Sequence, residues 1–477
     1  MTRRVRVLRP RSVGISTTRM GPYFTVASVE LGNTTTKCIL STTNLKTAEI
    51  FEIAKEVRFT RDVRQPYPDE PVFGKTLTGI PLTRASVAEL VSDTISSVLS
   101  SVGMDINYDL HFVVRSTGVT AGFAAPNEVG EMVKALAEGC LRAGIQPRKM
   151  TAAMSPDSLP PGLQDFTWLK RVYFDGAVAS CLPPSNTSVV ANEMEGELVT
   201  AGIKGAVKAS SIDFRNPVMT MDFGTTLAGR VTDESRPYAK TIGSFVGLAG
   251  AIPDALVSGT GLIENPNANM LDLPRSKPIR FASVDEEYVH KITDVIRVKV
   301  VDRGIKRFGT VPVDTDAAEE ASVVLLGVDV GTNGSALQVL RDLGERAHCD
   351  LGLDGFLLVL DYVQATLVTR LMSLAEGNGL ISGATSLGLT GRAITTGYKP
   401  QIVTEGLCLS DGTLWTEHHQ IVFVEDGLAM GAAVAARCMN SLGTRQNPMG
   451  GQKGNKCIMN ERIRLQREKN AQRGGVH

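Results

Sequence analysis

The sequence has no excess of charge of either sign, because fifty lysines and arginines balance fifty aspartates and glutamates over 477 residues. A balanced chain has no long-range field that would draw it to nucleic acid or to an anionic membrane surface. We therefore expect no nucleic-acid partner and no membrane partner. Apolar residues make up 43% of the chain and charged residues 21%, so there is enough apolar surface to build folded domains.

Cysteines are few, and long apolar runs are missing. The seven cysteines are scattered and contain no CxxC pair, which argues against a zinc or iron–sulfur site. No apolar stretch approaches the roughly 18 residues that cross a bilayer, and the N-terminal segment has no apolar core after its arginines. The sequence therefore predicts neither a membrane span nor a secretory signal, and we expect a cytoplasmic protein.

The two ends of the chain differ from its body. Residues 1–20 contain six arginines and no acidic residue, which predicts a basic flexible arm or, alternatively, a docking arm for an acidic partner. Residues 446–477 open with glycines and are net basic, which predicts a C-terminal tail. Since domains usually contain ~100–200 residues, the length predicts two or three folded units. We expect the body to form two domains, over residues 21–215 and 216–445.

Within the body, apolar β-rich runs alternate with segments of helical period, which predicts an α/β architecture. Residues 86–103 place apolar side chains on one helical face, with Ser86 and Glu89 spaced as a capping box. A second helix is predicted near 127–143 and a buried strand at 111–119.

Two hairpins of the same form are predicted in the body. The run at 24–30 reads as a strand that passes through a polar tip into a return strand, and the same pattern recurs at 216–232. A second appearance of one hairpin predicts that the chain contains two related halves. NEMEGE at 192–197 predicts a strand with its glutamates along one side, most simply as a solvated edge.

Both hairpin tips carry residues that can bind phosphate. Gly32 and Gly224 allow the backbone to approach a ligand closely, and Lys37 can neutralise a phosphate oxygen. The other expected donors are Asn33, Thr34, Thr35 and Thr36 in the first tip and Thr225 and Thr226 in the second. The alternative to phosphate binding is that both are ordinary hairpins with threonine-rich turns. One such hairpin is easily explained in this way, whereas two with the same arrangement are harder to explain.

An acidic residue ends the first strand of each hairpin. Glu30 and Asp222 would repel phosphate if they acted alone. We therefore expect both carboxylates to hold hydrated magnesium, directly or through water, and to orient an attacking water molecule.

VASVELGNTTTKCIL (26–40) and VMTMDFGTTLAGR (218–230) resemble the two phosphate motifs of the actin, Hsp70 and sugar-kinase ATPases. The resemblance implies a duplicated actin-like, ribonuclease H-like fold whose two domains close on Mg-ATP. In these ATPases the first acid is normally Asp, and Glu30 is one methylene longer, which leaves direct equivalence in magnesium binding open.

LGLTGRAITTG (387–397) resembles the adenosine motif of the same ATPases. Gly391 stands where the first glycine of the motif is found, and Arg392 replaces the second. The arginine either reshapes the base pocket or stacks on adenine. The small residues of VEDGLAMGAAVAARCM (424–439) resemble the closely packed C-terminal helix of these proteins.

A third segment competes for the role of second phosphate motif. GVDVGTNGSAL (327–337), with Asp329, Gly331 and Thr332, resembles that motif in the reductive activators of corrinoid enzymes. GSFVGLAGAIPDALVSGTGLIE (243–264) resembles the glycine-rich segment that follows the motif in those activators. Because this glycine-rich segment follows Asp222, we prefer Asp222 as the acid of the second phosphate motif. Asp329 is the alternative candidate for that role, or else it belongs to a simple turn.

The opening run at 23–40 is similar to that of the methanogenesis marker protein 14 family. This resemblance implies a methanogenic archaeon. By analogy with the corrinoid activators, it implies an ATP-binding, ATP-hydrolysing protein that helps to assemble, activate or reactivate a methanogenesis metalloenzyme. The protein client would be methyl-coenzyme M reductase or its activation complex.

Two other functional classes stay open. One is a small-molecule kinase of the sugar or acetate kinase type, which needs a general base and has Asp175 as a weak candidate. The other is a non-catalytic scaffold with a degenerate nucleotide site, of which Glu30 and Arg392 would be the signs.

Overall fold

The computed structural model describes residues 5–117, 126–150, 191–208, 210–234, 239–273, 284–418 and 420–442. The strands of the first part of the chain are β1 (Val7–Leu8), β2 (Arg11–Ser12), β3 (Tyr23–Leu31), β4 (Thr35–Asn44), β5 (Ile50–Phe59), β6 (Val72–Lys75), β7 (Pro81–Thr83) and β8 (Phe112–Thr117). Those of the second part are β9 (Val218–Phe223), β10 (Leu227–Thr232), β11 (Thr241–Gly247), β12 (Arg297–Val300), β13 (Arg307–Phe308), β14 (Val311–Pro312), β15 (Val324–Asp329), β16 (Ser386–Thr390) and β17 (Val422–Val424).

Helices separate these strands along the chain. They are α1 (Ile15–Met20), α2 (Arg84–Ser101), α3 (Pro126–Arg142), α4 (Ala191–Val207), α5 (Ala251–Gly259), α6 (Glu286–Val295), α7 (Thr315–Glu320), α8 (Leu337–Gly377), α9 (Arg392–Thr395), α10 (Lys399–Gly406), α11 (Trp415–His418) and α12 (Gly427–Leu442). The mixture of strands and helices along the chain confirms the α/β class.

The first sheet has the strand order β2-β5-β4-β3-β8. Strands β3, β4 and β5 form an antiparallel meander, and β8 then pairs parallel to β3. A parallel bridge between Val113 and Met150 extends the sheet beyond β8. Leaving β2 aside, the main strands therefore stand in the order third, second, first, fourth.

The second sheet repeats this order. Its eight strands run β1-β17-β16-β9-β10-β11-β15-β12. Here β9, β10 and β11 form the antiparallel meander, and β16 and then β17 add in parallel on the side of β9. Two meanders, each extended by parallel strands beside its first strand, confirm the duplicated actin-like fold with two related halves.

The N-terminal segment is not a free arm, because β1 and β2 join different sheets. Residue Val7 pairs with Phe423 of β17, and Arg11 pairs with Phe51 of β5. The prediction of a basic flexible arm over residues 1–20 is therefore wrong for residues 5–20. Backbone hydrogen bonds at a sheet edge need no apolar side chains, so the arginine-rich composition did not reveal these strands.

Several local predictions are confirmed and others need correction. Helices α2 and α3 and strand β8 lie within a few residues of their predicted bounds. The capping box of α2 is formed by Thr83 and Ser86, because α2 begins at Arg84, and not by Ser86 and Glu89. Segment 192–197 is part of helix α4 and not a strand.

Helices α4 and α12 cross in very close contact. A Cβ atom placed on Gly202 would lie 1.8 Å from the carbonyl oxygen of Gly427, and one placed on Gly431 would lie 1.7 Å from that of Leu198. Because side-chain carbon cannot approach so closely, the crossing depends on glycine. This confirms the expectation of a closely packed C-terminal helix, and α4 is its partner.

Helix α8 is the one helix, in the part of the chain that the structure describes, that is long and apolar enough to span a membrane. It is interrupted at Gly352, whose φ is 66°, and its following half buries Phe356, Val359, Val363 and Leu367 in the core of the second half. Core helices of soluble proteins commonly have this composition. We therefore describe α8 as a core helix.

Two of the predictions concern residues that the structure does not describe. The C-terminal tail, 446–477, and the weak kinase candidate Asp175 lie outside the described residues. The division of the body at residue 215 stays a prediction, although β9 begins the second meander at Val218.

The helix crossing gives a first prediction. Replacing Gly431 by alanine forces α12 away from the carbonyl of Leu198, so the free energy of unfolding should fall by about 1–3 kcal/mol. Thermal denaturation followed by circular dichroism measures this. A Cβ atom placed on Gly377 would have no neighbour within 4 Å, so Gly377→Ala is the matched control and should leave the midpoint almost unchanged. Equal effects of the two changes would contradict a glycine-dependent crossing.

Candidate functional site

The two predicted phosphate-binding tips face each other. The hydroxyl of Thr225 in the second tip donates to the hydroxyl oxygen of Thr34 in the first, at 2.9 Å. Thr34 in turn donates to a carboxylate oxygen of Asp254 on helix α5, at 3.1 Å. Thr34 and Thr225 are 191 positions apart in the sequence, and Thr34 and Asp254 are 220 positions apart. Their side chains nevertheless meet at one point.

The first tip is a tight turn between β3 and β4. The amide of Gly32 donates to the carbonyl of Thr35 at 2.9 Å, and a Cβ at Gly32 would lie 2.8 Å from that oxygen. Thr60, just after β5, fixes the turn with two hydrogen bonds. Its amide donates to the carbonyl oxygen of Thr34, and its hydroxyl donates to the carbonyl oxygen of Gly32. Glycine is therefore required at position 32 by close packing of the turn on itself.

Not every polar residue of the first tip is available to a ligand. The hydroxyl of Thr36 is buried and shares a 3.0 Å hydrogen bond with Thr60. The side-chain oxygen of Asn33 accepts from the amide of Leu77 at 2.8 Å. The expected role of the Thr36 hydroxyl as a phosphate donor is therefore wrong, because its position in β4 turns it into the core. Thr35 is also buried.

The second tip rests on the start of helix α5. The carbonyl of Gly224 accepts from the amide of Gly250, at 2.7 Å, and the carbonyl of Thr225 accepts from Ala249 and Ala251. The neighbouring Thr226 forms an isolated bridge with Leu248. These bonds place the second tip and α5 as one unit beside the first tip.

The predicted acidic residues and Lys37 come together below the tips. Glu30 and Lys37 are direct cross-strand partners on β3 and β4, and the ammonium donates to a carboxylate oxygen of Glu30 at 3.2 Å. Burial disfavours the charged ammonium, but nearby carboxylates, including Asp222 and Asp426, outweigh burial and raise the pKa of Lys37. One lysine is therefore surrounded by several acids.

Asp222, one residue before the end of β9, lies in an environment that disfavours its charged form. Burial is the largest cause, and the negative charge of Glu30 adds to it, while Lys37 opposes the shift. Together these effects raise the pKa of Asp222 to about 7. A carboxyl held near neutrality can exchange a proton at physiological pH, as a general acid or base must.

Glu195, on helix α4, is a site residue that the sequence analysis missed. Its side chain is buried, and burial together with the charges of Asp222 and Glu30 raises its pKa well above the usual value. The hydroxyl of Thr200 shares a 2.7 Å hydrogen bond with that of Thr220 on β9, and this bond holds α4 against the strand.

A helical reading of this segment would have revealed Glu195. The buried positions recur with spacings of three and four residues, and this stripe consists of Glu195, Leu198, Val199, Gly202 and Ile203. A glutamate at the start of a buried apolar face of a helix is unusual, which indicates that its carboxyl interacts with other polar or charged groups.

A second missed acid, Asp426, lies at the start of α12. Its φ of 53° is unusual for a residue other than glycine. Lys55 of β5 donates to Asp426 at 2.8 Å and to Glu425 at 3.1 Å, and Arg9 forms a 2.5 Å ion pair with Glu425. This network connects the N-terminal segment, the first sheet and the helix that ends the second half.

The adenosine motif lies beside Asp222. Thr390 is the register partner of Asp222, and a Cβ at the next residue, Gly391, would lie 2.4 Å from a carboxylate oxygen of Asp222. Gly391 has a φ of 91°, so both its conformation and its surroundings require glycine. Arg392 opens α9, is partly buried, and its guanidinium has no partner in the described residues.

The competing motif at Asp329 has a different environment. Arg297 of β12 donates to both carboxylate oxygens of Asp329, at 2.6 and 2.8 Å, and the amide of Gly331 donates to the same carboxylate. Thr332 follows in a short turn. The carboxylate of Asp329 is therefore occupied within its own half, whereas Asp222 lies among the residues of the cleft.

The donor set fits a divalent cation held partly through water. Among the described residues, no three acidic, histidine or cysteine side chains are close enough to hold a metal ion by themselves. Nevertheless Asp222 and Glu195 have raised pKa values, to which the negative charge of Glu30 contributes after burial. A cation in this position would relieve that repulsion, and Mg²⁺ commonly keeps several water ligands.

Comparison with known proteins gives a family. The family model described as an uncharacterized protein conserved in archaea, DUF2114, matches residues 23–466. The chain belongs to this archaeal family. An uncharacterized protein of Methanocaldococcus jannaschii is 48% identical over 462 residues, which cover 97% of this chain and 95% of the relative. Another from Methanothermobacter thermautotrophicus is 49% identical over 450 residues, covering 94% and 84%.

Solved structures show weaker likenesses. A reductive activator for corrinoid, iron–sulfur protein matches 87% of this DUF2114 protein and 60% of its own chain, with a TM-score of 0.33 and 12% identity. Ethanolamine utilization protein EutJ from Carboxydothermus hydrogenoformans covers 87% and 89%, with a TM-score of 0.35 and 11% identity. Glucokinase from Balamuthia mandrillaris, solved with glucose, covers 88% and 98%, with a TM-score of 0.32 and 10% identity. The strand order within the chain, rather than these superpositions, establishes the fold.

The raised pKa of Asp222 gives a prediction about stability. Because the folded protein holds this proton more tightly than the unfolded chain, the contribution of Asp222 to stability is lost as pH rises from about 4 to about 7. Asp222→Asn removes the charge and should raise the unfolding free energy of the protein near pH 8 in the absence of nucleotide and magnesium. The gain should be of the order of a few kcal/mol, since one pKa unit is worth about 1.4 kcal/mol.

Thermal unfolding between pH 5 and pH 8 tests this expectation. The change in midpoint across that range should be smaller for Asp222→Asn than for the unmodified protein. Asp69, which is exposed, supplies the matched control Asp69→Asn, which should keep the original pH dependence. A parallel shift at every pH would show that charge on Asp222 is not the cause.

Proposed function

We propose that this protein binds Mg-ATP between its two halves and hydrolyses it. The observation that carries the proposal is the meeting of the two hairpin tips at Thr34 and Thr225, with Glu30, Lys37 and Asp222 directly below. Two glycine-containing tips that face each other can surround a phosphate chain with backbone amides and hydroxyls. The acids below supply the charge that a magnesium ion requires.

Each residue has a distinct part in this proposal. The hydroxyls of Thr34 and Thr225 and the amides of the tips would bind phosphate oxygens, and Lys37 would stabilise negative charge on the transferred phosphoryl group. Glu30 and Asp222 would hold magnesium through water. When bound, magnesium supplies charge neutralisation of the phosphate oxygens.

Proton transfer would fall to the buried acids. The attacking water must lose a proton, and a carboxyl with a pKa close to neutrality is well suited to accept it. Asp222 would be that carboxyl: burial and the charge of Glu30 raise its pKa to about 7 in the metal-free site, and magnesium held through water would lower it. Glu195 lies close enough to Asp222 and Glu30 to interact with their charges, so it would hold a water molecule or relay the proton.

The adenosine would lie against the segment that follows β16. Gly391 packs directly against the carboxylate of Asp222 and the carbonyl of Phe223, which fixes the position of this segment. The guanidinium of Arg392, which has no partner among the described residues, would be available to stack on a base. An arginine in place of the second glycine is therefore compatible with nucleotide binding.

In the cell, we infer that hydrolysis serves a protein client in a methanogenic archaeon. Three observations support this inference: the resemblance of residues 23–40 to the methanogenesis marker protein 14 family, that of segments 243–264 and 327–337 to corrinoid activators, and relatives in Methanocaldococcus and Methanothermobacter. The client would be a cytoplasmic redox metalloenzyme such as methyl-coenzyme M reductase. Activation or reactivation of that enzyme would be the outcome of each ATP cycle.

A small-molecule kinase is the second candidate, and one observation favours it. Asp254 lies at the junction of the two tips and accepts a hydrogen bond from Thr34, so a carboxylate is present beside the phosphate position. Turnover that depends on an added small acceptor would support the kinase, and absence of nucleotide binding would support a non-catalytic scaffold. Slow turnover that a methanogen cell extract accelerates would support the client-directed ATPase.

The choice between the two candidate phosphate motifs gives a third prediction. Asp222→Ala should lower ATP hydrolysis by at least about 100-fold, because it removes both a magnesium-binding carboxylate and a proton acceptor. Asp329→Ala should leave most hydrolysis intact, since its partner is Arg297. Release of phosphate per folded molecule is the measurement. The reverse order of effects would assign the second motif to Asp329.

Glu195 gives a fourth prediction. Glu195→Gln keeps the shape of the side chain but removes its ability to exchange a proton, so hydrolysis should fall by about 10- to 100-fold. Binding of ATP, measured by isothermal titration calorimetry, should be retained. Glu197 of the same helix pairs with Arg230, and Glu197→Gln is the matched control for a change in helix stability. If both variants lose activity equally, Glu195 has no specific role.

A further inference from the structure

A small cavity lies between the two hairpin tips and helix α5, and it extends to the first turns of α8. Its volume is about 60 Å³. The polar residues that line it include Thr34, Arg61, Thr225, Asp254 and Arg341. Both halves of the molecule therefore contribute to its wall, and the wall contains two arginines and one acid.

Close contact between α5 and α8 fixes one side of the cavity. A Cβ at Gly259 would lie 1.9 Å from the carbonyl oxygen of Arg341, and one at Gly344 would lie 2.0 Å from that of Leu256. Only glycine at both positions allows the two helices to approach so closely. The backbone of Arg341 is therefore held in place by helix packing, without help from a ligand.

Arg341 is partly buried and has no side-chain partner among the described residues. Its Nε atom is buried and forms no hydrogen bond within the described residues, and none of the described carboxylates forms an ion pair with its guanidinium. A buried donor without an acceptor is unfavourable. An anion in the cavity would supply the missing acceptor.

The second arginine of the wall has its partners already. Arg61 forms a two-pronged ion pair with Asp272 and donates to the carbonyl of Asn267 at 2.9 Å. It shapes the cavity but adds no net charge to it. Arg341 therefore supplies the positive charge that is not neutralised in this part of the described structure.

Asp254 is the group that opposes an anion. Burial, with a smaller contribution from the charge of Asp272, raises the pKa of Asp254 to about 6, although bonds from Met270 and Thr34 and the charge of Arg61 oppose the shift. Below that pH the neutral carboxyl repels an anion less and can donate a hydrogen bond to it. Binding of an anion should therefore weaken as pH rises through about 6.

We propose that this cavity binds one small oxyanion, either phosphate or a short carboxylate, with Arg341 as its cation and the hydroxyls of Thr34 and Thr225 as donors. The volume holds a few water molecules and is well below the ~150 Å³ that accommodates benzene, so its size suits a small ion. Because Thr34 and Thr225 also belong to the tips, the ion would lie next to the terminal phosphate of a bound nucleotide, a placement that rests on the proposed function. Phosphate would be the product of hydrolysis, and a carboxylate would be an acceptor.

The first test uses the full chain without nucleotide or magnesium. Isothermal titration calorimetry with inorganic phosphate, and separately with acetate, should show saturable binding to one site. Tighter binding of phosphate identifies a product site, and tighter binding of acetate identifies an acceptor site. Arg341→Gln should weaken the preferred anion by at least tenfold, which corresponds to about 1.4 kcal/mol. Arg346→Gln, an exposed arginine on the same helix, should not change it.

A pH series with sulfate, whose charge is constant over this range, tests the part played by Asp254. The unmodified protein should bind sulfate more weakly at pH 7.5 than at pH 5. In Asp254→Asn this difference should largely disappear, because the variant carries no charge at either pH. A pH dependence that survives unchanged in Asp254→Asn contradicts the assignment.

Two further variants distinguish anion binding in the cavity from anion binding at the hairpin tips. Lys37→Met removes the cation of the nucleotide site, and binding in the cavity should survive it. If Lys37→Met abolishes phosphate binding and Arg341→Gln does not, the ion lies at the tips and the cavity proposal is wrong. If Arg341→Gln folds poorly, Arg341→Lys replaces it in the test. This variant keeps the charge and should retain part of the affinity. No saturable binding of phosphate, acetate or sulfate also overturns the proposal, whereas ATP hydrolysis is measured separately and can persist.

Discussion

The close crossing of helices α4 and α12 is the constraint on which the arrangement of the cleft depends. With glycine at positions 202, 427 and 431, the backbones of the two helices meet directly, and neither can slide without a collision. Helix α4 follows the first meander and α12 ends the second, so this contact joins the two halves. It also brings Glu195, near the start of α4, and Asp426, just before α12, toward the same group of charges around Lys37.

The charge of the cleft follows from this geometry. Lys37 faces Glu30, Asp222 and Asp426, although Lys55 also pairs with Asp426. Glu195 interacts with the charges of Asp222 and Glu30. Mutual repulsion of buried carboxylates is what raises the pKa values of Asp222 and Glu195, after burial itself. The cleft therefore retains unfavourable electrostatic energy, which a bound cation would remove. The sheet register and the helix crossing together set this distribution of charge.

The sequence was sufficient to predict the features that depend on local pattern. Both hairpins, the α/β class and the small-residue helix follow from periodicity and turn chemistry. Features that depend on tertiary contacts were not accessible. Strand β1 is held by backbone bonds to β17, which its arginine-rich composition does not indicate, and Thr36 faces the core only because β5 and Thr60 lie beside it. Glu195 was misread because its segment was assigned a period of two instead of 3.6.

The hydroxyl contact between Thr34 and Thr225 has a consequence for ligand entry. These hydroxyls satisfy each other and Asp254, so a phosphate group bound as we propose would have to replace protein–protein bonds with bonds to its own oxygens. Bonds to a charged oxygen are roughly twice as strong as neutral ones, so the exchange favours the ligand once it is inside. Entry nevertheless requires the tips to separate.

The N-terminal segment opposes that separation. It pairs with β17 in one sheet and with β5 in the other, and Arg9, between these two strands, is tied to Glu425 just before helix α12. Separation of the halves must therefore bend or release this segment, because its two ends are bonded to different sheets. Its backbone bonds therefore resist opening together with the crossing of α4 and α12.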